Sequence, residues 1–152
     1  MLWAKKVLNH SVGFVLLIWS VVPAFAFSGE AVVAIVHRSS PLQKLTASQL
    51  KAVFLGESRF AVPGVMVEVN DRDRNSEIYR EFYASIAAMS PKDVSIHWAR
   101  KVFTGAAPPP PRISGDDSMA ISVVTAKPEA ITYIYEKNLT NAVKVVYSVP
   151  VN

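Results

Sequence analysis

The stretch at residues 65–83 constrains the fold most, because it joins a strand pattern to a helix pattern through a short charged turn. Valines at 65, 67 and 69 alternate with Met66, Glu68 and Asn70, which is the period of a half-buried strand. Farther along, apolar residues recur at spacings of three and four, as on one face of a helix: Ile78, Tyr79, Phe82, Tyr83 and Ile86. The turn between the two patterns, at 71–76, therefore precedes a helix N-terminus.

The turn reads Asp-Arg-Asp-Arg-Asn-Ser and is a candidate anion site. A helix N-terminus presents unpaired backbone N–H groups and the positive end of the helix dipole. Asn75 and Ser76 are residue types that cap such a helix, and Arg72 or Arg74 can add a charge-assisted hydrogen-bonding fork. The simpler interpretation is a solvated turn whose alternating charges neutralise one another and contribute little to stability. The residues alone leave both interpretations open.

The first 26 residues have the pattern of a secretory signal. Lys5 and Lys6 precede an apolar run at 12–22, and Ala-Phe-Ala at 24–26 is a cleavage pattern. The run is shorter than the roughly 18 to 20 apolar residues of a membrane span, so a retained anchor is the weaker alternative. We expect cleavage after Ala26, a mature domain at 27–152 and a periplasmic location. Because the sequence has no cysteine, a lipid-anchored lipoprotein is not expected.

The mature chain is too balanced in charge to indicate a nucleic-acid partner. The signal carries two of the 16 basic residues and none of the 12 acidic ones, which leaves a net charge of +2. Zinc and thiol chemistry lack ligands, because only His37 and His97 remain and cysteine is absent. Asp116 and Asp117 are expected to cap and open a helix rather than to bind a metal. We predict no catalytic residue, metal site or cofactor, and no enzyme.

The remaining patterns predict the order strand, helix, strand, three helices and two strands. A continuous apolar run at 31–36 is typical of a strand covered on both faces. Thr46 and Gln49 form a capping box for a helix that ends near Gly56. Later helices are predicted from residues 90 and 116, and later strands at 130–134 and 143–149. This order predicts an α/β fold with a small mixed sheet flanked by helices.

Four consecutive prolines stand at residues 108–111. They predict an extended polyproline segment without ladder hydrogen bonds. A stiff surface connector is the simpler interpretation, and a docking motif for a proline-binding partner is the alternative.

Three blocks of the sequence resemble the phosphate-binding proteins of ABC transporters. The strand at 32–36 and the following LTASQLKAVFLG, at 45–56, are similar to the family's apolar strand and its L-x-x-I-Y/F-L-G-K helix end. Residues 67–82 are similar to its V-x-R-x-D-G-S-G-T-x-x-x-F segment, and residues 120–134 to its V-x-x-x-P-G-A-I-G-Y ending. Trp98 lies near a tryptophan that the family often has. The resemblance spans almost the whole mature chain and implies part of a type 2 periplasmic binding protein.

The resemblance also implies a site for phosphate or a similar oxyanion. The family's middle motif supplies an arginine and a serine to bound phosphate, and these fall on Arg72 and Ser76, with Asn75 beside them. Ser39 and Ser40, in the loop after the first strand, are candidates for the same crevice. Ordinary turn serines are the simpler interpretation of that last pair.

The chain departs from the family's pattern at several positions. Arg74 stands where the motif has aspartate, and Glu77 and Ile78 replace its glycine and threonine. The charge of Glu77 in the first helical turn competes with an incoming anion. The family's first segment, which supplies further phosphate contacts, has no counterpart before Ala31. Only part of a clamp is therefore expected, and a homodimer is a hypothesis.

We therefore expect an exported domain that resembles a solute-binding protein and binds phosphate or a similar oxyanion for ABC transport or sensing. Its expected partners are inorganic phosphate and either a transporter permease or another periplasmic protein. The alternative is an accessory or protein-interaction domain that keeps the fold but has lost ligand binding. Glu77, Ile78 and the proline run favour this alternative.

Overall fold

The computed structural model describes residues 30–150, so the predicted signal at 1–26 and its cleavage site lie outside the described residues. The helices are α1 (Ala47–Phe54), α2 (Glu77–Ala87), α3 (Pro91–Phe103) and α4 (Asp117–Ala126). The strands are β1 (Val32–His37), β2 (Phe60–Val62), β3 (Val65–Met66), β4 (Glu68–Val69), β5 (Asp71–Arg72), β6 (Arg112–Ile113), β7 (Ala130–Tyr135) and β8 (Val143–Ser148). The prediction of an α/β fold with a small mixed sheet flanked by helices is confirmed.

The four-stranded sheet has the order β4-β7-β1-β8. β1 is antiparallel to both of its neighbours, whereas the short β4 is parallel to β7. Because successive side chains of a strand point to opposite faces, β1 contributes to two apolar clusters. Val32, Ala34 and Val36 belong to the cluster that includes α2, and Val33 and Ile35 to the one that includes α4. The predicted burial of both faces of this strand is confirmed.

α1 begins and ends as the sequence indicates. The Thr46 hydroxyl accepts a hydrogen bond from the Gln49 N–H at 3.2 Å, and the Gln49 side chain accepts one from the Thr46 N–H at 2.8 Å. These two bonds form the predicted capping box. Gly56 follows the helix with a φ of 65°, and a Cβ built there would lie 2.7 Å from Trp98 Cη2. Glycine is therefore needed here both for its backbone freedom and for its size.

Residues 65–69 do not form the single strand that their alternation predicts. They form β3, which pairs with β2, and β4, which pairs with β7, so the chain changes partner at Val67. The three valines still pack against the core. The alternation therefore indicates which side chains face the core, but it does not indicate whether they belong to one continuous strand.

The turn predicted at residues 71–76 is shorter than expected. Asp71 and Arg72 form β5, which is parallel to β6, and they are 2% and 4% exposed. The interpretation of the whole segment as a solvated charged turn is therefore wrong for these two residues. Asp73 and Arg74 do lie exposed.

α2 and α3 bury most of the residues that their spacing predicts. All five apolar residues predicted for the face of α2 are buried, and α3 buries Val94 and Trp98. The spacing of Val94, Trp98 and Val102 predicts one shared face, but Val102 is 56% exposed, as is the neighbouring Phe103 at 92%, because the last turn of α3 extends beyond the core. Within residues 30–150, no helix combines the length and the apolar character that a membrane crossing requires.

Candidate functional site

Ser76 caps α2 at the turn where the sequence predicts an anion-binding site. Its hydroxyl accepts a hydrogen bond from the Tyr79 N–H at 3.4 Å and donates one to the Asp73 carbonyl at 2.5 Å. Asn75 does not cap the helix, and its own N–H donates to the Asp73 carboxylate at 2.7 Å. Oxygens of the protein therefore already occupy two backbone donors at this helix start. Glu77 adds a negative charge to the first turn.

Arg72 lies beneath the surface and is neutralised by Asp117, at the start of α4. Its Nη1 donates to Asp117 Oδ1 at 2.7 Å and to the Tyr133 carbonyl at 3.0 Å. Its Nη2 donates to the Gly115 carbonyl at 3.3 Å. The side chains of Arg72 and Asp117 are only 5% and 8% exposed. Both terminal nitrogens of the arginine thus donate to internal acceptors.

The second carboxylate oxygen of Asp117 is also hydrogen-bonded. It accepts from the Tyr135 N–H at 2.9 Å and from Asn138 Nδ2 at 2.8 Å. The ion pair therefore connects β5 with α4, with β7 and with the short 3-10 turn that follows β7. Removing one partner of such a pair would leave the other as an uncompensated buried charge.

Asp71 places a second buried carboxyl group beside this pair. It accepts hydrogen bonds from the Tyr133 hydroxyl at 2.7 Å, the Tyr83 hydroxyl at 2.8 Å and the Arg72 N–H at 2.8 Å. Burial raises the pKa of Asp71, although these hydrogen bonds and the charge of Arg112 act in the opposite direction. Burial and the Asp71 charge also raise the pKa values of both tyrosines well above their ordinary range. The cluster is satisfied by its own groups.

Ser39 and Ser40 lie toward the opposite end of β7 from Arg72. Ser40 lines a cavity of about 320 Å³ together with residues 128–129, which immediately precede β7. Arg72 instead contacts the carbonyl of Tyr133, toward the end of that strand. The structure therefore brings Ser76 and Arg72 to one region of the chain and does not bring the two serines to them.

His37 and His97 have local partners. His97 is 2.8 Å from the Leu55 carbonyl, and His37 Nδ1 is 2.7 Å from the Ser39 hydroxyl. Asp116 caps α4, as predicted. Within residues 30–150, no group of three or more histidine or acidic side chains is arranged to hold a metal ion.

No pattern in the sequence groups Asp71, Tyr83 and Tyr133 as one cluster. The prediction that Asp117 lies in the first turn of α4 is confirmed, but its sequence context indicates no partner. The pattern at 130–134 predicts a strand that includes Tyr133. No local pattern indicated contacts across 45 or 62 residues.

Comparison with solved structures relates this fold to phosphate-binding proteins. The chain matches a Clostridium perfringens protein assigned to the phosphate ABC transporter substrate-binding proteins and crystallised with bound phosphate, with a TM-score of 0.60 and 18% identity. It matches an ABC-type phosphate transport receptor from Vibrio cholerae with a TM-score of 0.59 and 17% identity. It also matches PstS from Borrelia burgdorferi with a TM-score of 0.58 and 13% identity.

These matches cover 76% of this chain and 44%, 45% and 46% of the other three. The chain thus spans less than half the length of those proteins. At such identities the likeness shows the fold, a mixed α/β domain of the kind found in phosphate-binding proteins. No protein-family model matches the sequence, and no curated protein matches it.

Proposed function

We propose that this chain is an exported, non-enzymatic accessory or protein-interaction domain with the fold of a phosphate-binding protein and no phosphate site at Arg72. The observation that carries the proposal is the buried ion pair between Arg72 and Asp117. A phosphate ion at this arginine would have to displace a carboxylate that is tethered to the chain and already desolvated. The carboxylate of Asp117 therefore already neutralises the charge that Arg72 would offer to an anion.

The helix start supports the same proposal. Ile78, which replaces the threonine of the family motif, is 3% exposed in the core and offers no hydroxyl group to a ligand. Glu77, which replaces the glycine, is exposed in the first turn of α2 and repels an anion there. Both changes weaken the anion site that a helix N-terminus otherwise provides.

Calorimetric titration of the mature chain with phosphate tests whether the chain has lost phosphate binding. We expect no binding in the millimolar range. The informative pair of variants is Ser76→Ala and Thr46→Ala, because each removes one N-cap hydroxyl and only the first lies at the candidate site. A saturable phosphate signal that Ser76→Ala abolishes and Thr46→Ala retains would overturn the proposal.

Crosslinking in the exporting cell tests the interaction role. The tagged full-length chain is produced at its natural abundance, crosslinked and purified from the periplasm. We expect a discrete complex with another protein, whereas a chain that elutes alone counts against this role. N-terminal sequencing of the same sample tests cleavage after Ala26.

Oxyanion binding at Arg72, Ser76 and Asn75, with Ser39 and Ser40 as further contacts, is the second candidate function. It is supported by the fold shared with a phosphate transport receptor and with a protein crystallised with phosphate. In that case the chain would act in phosphate uptake or sensing with a transporter permease, and a homodimer would complete the clamp. Positive calorimetry would select this candidate, and light scattering would test the dimer.

A further inference from the structure

A cleft lies between β4 and the four prolines at residues 108–111, and we call it the β4 cleft. Its volume is about 510 Å³. Residues 67–69 form one wall and the prolines another, and Trp98 and Arg59 contribute to the lining. A space of this size can hold a small ligand or several peptide side chains. The residues of the candidate oxyanion site do not line it.

The outer edge of β4 is unpaired where it meets this cleft. The N–H groups of Glu68 and Asn70 donate toward β7, to the carbonyls of Glu129 and Ile131, at 2.8 and 2.9 Å. Backbone groups alternate in direction along a strand, so those of Val69 point away from β7. The Val69 N–H makes no hydrogen bond within residues 30–150.

The prolines explain why this edge has no partner. Just beyond the cleft, the Asp71 N–H donates to the Pro111 carbonyl at 2.9 Å, next to the parallel β5–β6 ladder. Two residues earlier, the same ladder would place Val69 opposite Pro110 and would require an N–H from Pro111. Proline has no N–H, so the Val69 carbonyl finds no donor in this segment and the ladder does not extend back past Asp71.

Two side chains of the cleft also lack partners. Trp98 is 8% exposed, and its Nε1 is a buried donor without a hydrogen bond among the described residues. Such a donor is destabilising where no acceptor reaches it. Arg59 is exposed and belongs to none of the ion pairs within residues 30–150, whereas Glu68 is paired with Lys127 at 2.8 Å. The unpaired charge of the cleft is therefore positive.

We propose that the β4 cleft binds an extended peptide segment of a partner protein, which adds a strand to the free edge at Val69. Unpaired main-chain groups are matched by another extended backbone, and this favours a peptide over a small solute. The segment sets apolar side chains against Trp98 and the prolines and places an acidic residue near Arg59. The inference rests on the proposed interaction role and names its surface and the chemistry of the partner.

Trp98 makes the cleft accessible to a direct test. It is the single tryptophan of residues 27–152, because the other two of the three, Trp3 and Trp19, lie in the predicted signal. A random heptapeptide library is panned against the mature chain, and the selected peptides are synthesised and titrated. We expect peptides with alternating apolar residues and one acidic residue. They should change the Trp98 emission saturably and shift the Val69 amide resonance strongly.

A matched pair of charge reversals tests the role of Arg59. Arg59→Glu and Lys44→Glu make the same change at exposed positions, and only Arg59 lines the cleft. We expect Arg59→Glu to weaken peptide binding at least about twofold, the scale of one exposed ion pair. Lys44→Glu should leave the affinity unchanged, and equal effects of both variants would contradict the assignment of the acidic contact.

Several outcomes would overturn the proposal. One is a library that yields no binding peptide. Another is a set of peptides that bind without shifting the Val69 amide resonance. Saturation of the Trp98 emission by octanoate, with that amide unmoved, would identify a small-molecule site. A concentration-dependent dimer that shifts Val69 without peptide would identify a second copy as the occupant. In each of these cases the proposed function stands if crosslinking still captures a partner. Phosphate binding that depends on Ser76 would count against the proposed function and not against a peptide site in the β4 cleft.

Discussion

Arg72 and Asp117 are 45 residues apart in the sequence and form an ion pair of 2.7 Å beneath the surface. The pair holds β5 against the start of α4, and the hydrogen bond from Arg72 to the Tyr133 carbonyl extends it to β7. The arginine that the resemblance assigns to a ligand is therefore part of the structure that positions three elements. Its charge is already neutralised by Asp117 within the fold.

Removing one member of this pair should destabilise the protein strongly. Arg72→Ala leaves Asp117 as a buried charge without a counterion, and we expect a loss of about 3 to 5 kcal/mol in the free energy of unfolding. The double variant Arg72→Met, Asp117→Leu removes both charges and should recover part of this loss. Urea denaturation followed by circular dichroism measures the effect.

Arg74→Ala is the control for the ion-pair variants, because Arg74 is an exposed arginine two residues away. Its effect should stay within about 0.5 kcal/mol, as for most surface substitutions. Similar small losses for Arg72→Ala and Arg74→Ala would show that the pair does not support the fold.

The contribution of Asp71 to the free energy of unfolding should decrease as the pH rises. Burial raises the pKa of its carboxyl group above the ordinary 3.8, so the folded protein binds this proton more tightly than the unfolded chain does. The associated stability is fully present below that ordinary value and is lost as the pH rises through the folded pKa. Tyr83, Tyr133 and Arg112 face the carboxyl group and limit the shift.

Asp71→Asn isolates this effect because it removes the titrating group. We expect the free energy of unfolding of the natural protein, minus that of the variant, to decrease as the pH rises from the ordinary value of 3.8 through the folded pKa of Asp71. Urea unfolding at a series of pH values provides the comparison. Parallel pH curves for the two proteins would be incompatible with a raised pKa at Asp71.

The sequence predicted those features whose determinants lie close together along the chain. The capping box of Thr46 and Gln49 and the buried face of α2 depend on neighbouring turns of one helix, and both are confirmed. The alternation at residues 65–69 marks which valines face the core, but it carries no information about the partner strand. Arg72 finds its acceptors 43, 45 and 61 residues away, so no local pattern indicates that its charge is neutralised.

Tyr135 should titrate above an ordinary tyrosine. Burial, followed by the charges of Glu81 and Glu77, raises the pKa of its hydroxyl to about 12. The stability linked to this group is fully present below the ordinary value of 10.0 and is lost as the pH rises through about 12. Glu81→Gln removes one charge, so we expect the pKa of Tyr135 to fall toward 10.0. Ring ¹³C chemical shifts measure it, with Glu57→Gln as an exposed control; identical shifts of the pKa in both variants would exclude a specific effect of Glu81.

Gly56 and Gly105 follow two different helices with nearly the same backbone, at φ values of 65° and 68°, and differ in their surroundings. A Cβ at Gly56 would lie 2.7 Å from Trp98 Cη2, whereas nothing lies within 4 Å of one at Gly105. Alanine at Gly105 therefore incurs only the cost of the left-handed backbone, about 1 to 2 kcal/mol. Alanine at Gly56 adds a clash with an indole ring that is nearly buried, which should raise the loss in the free energy of unfolding by about 1 kcal/mol or more.

Urea unfolding should show a larger loss for Gly56→Ala than for Gly105→Ala, and the fluorescence emission of Trp98 should change only with Gly56→Ala. Equal losses with unchanged emission would mean that the ring moves aside at little cost, so that Gly56 is needed for its backbone conformation and not for its size.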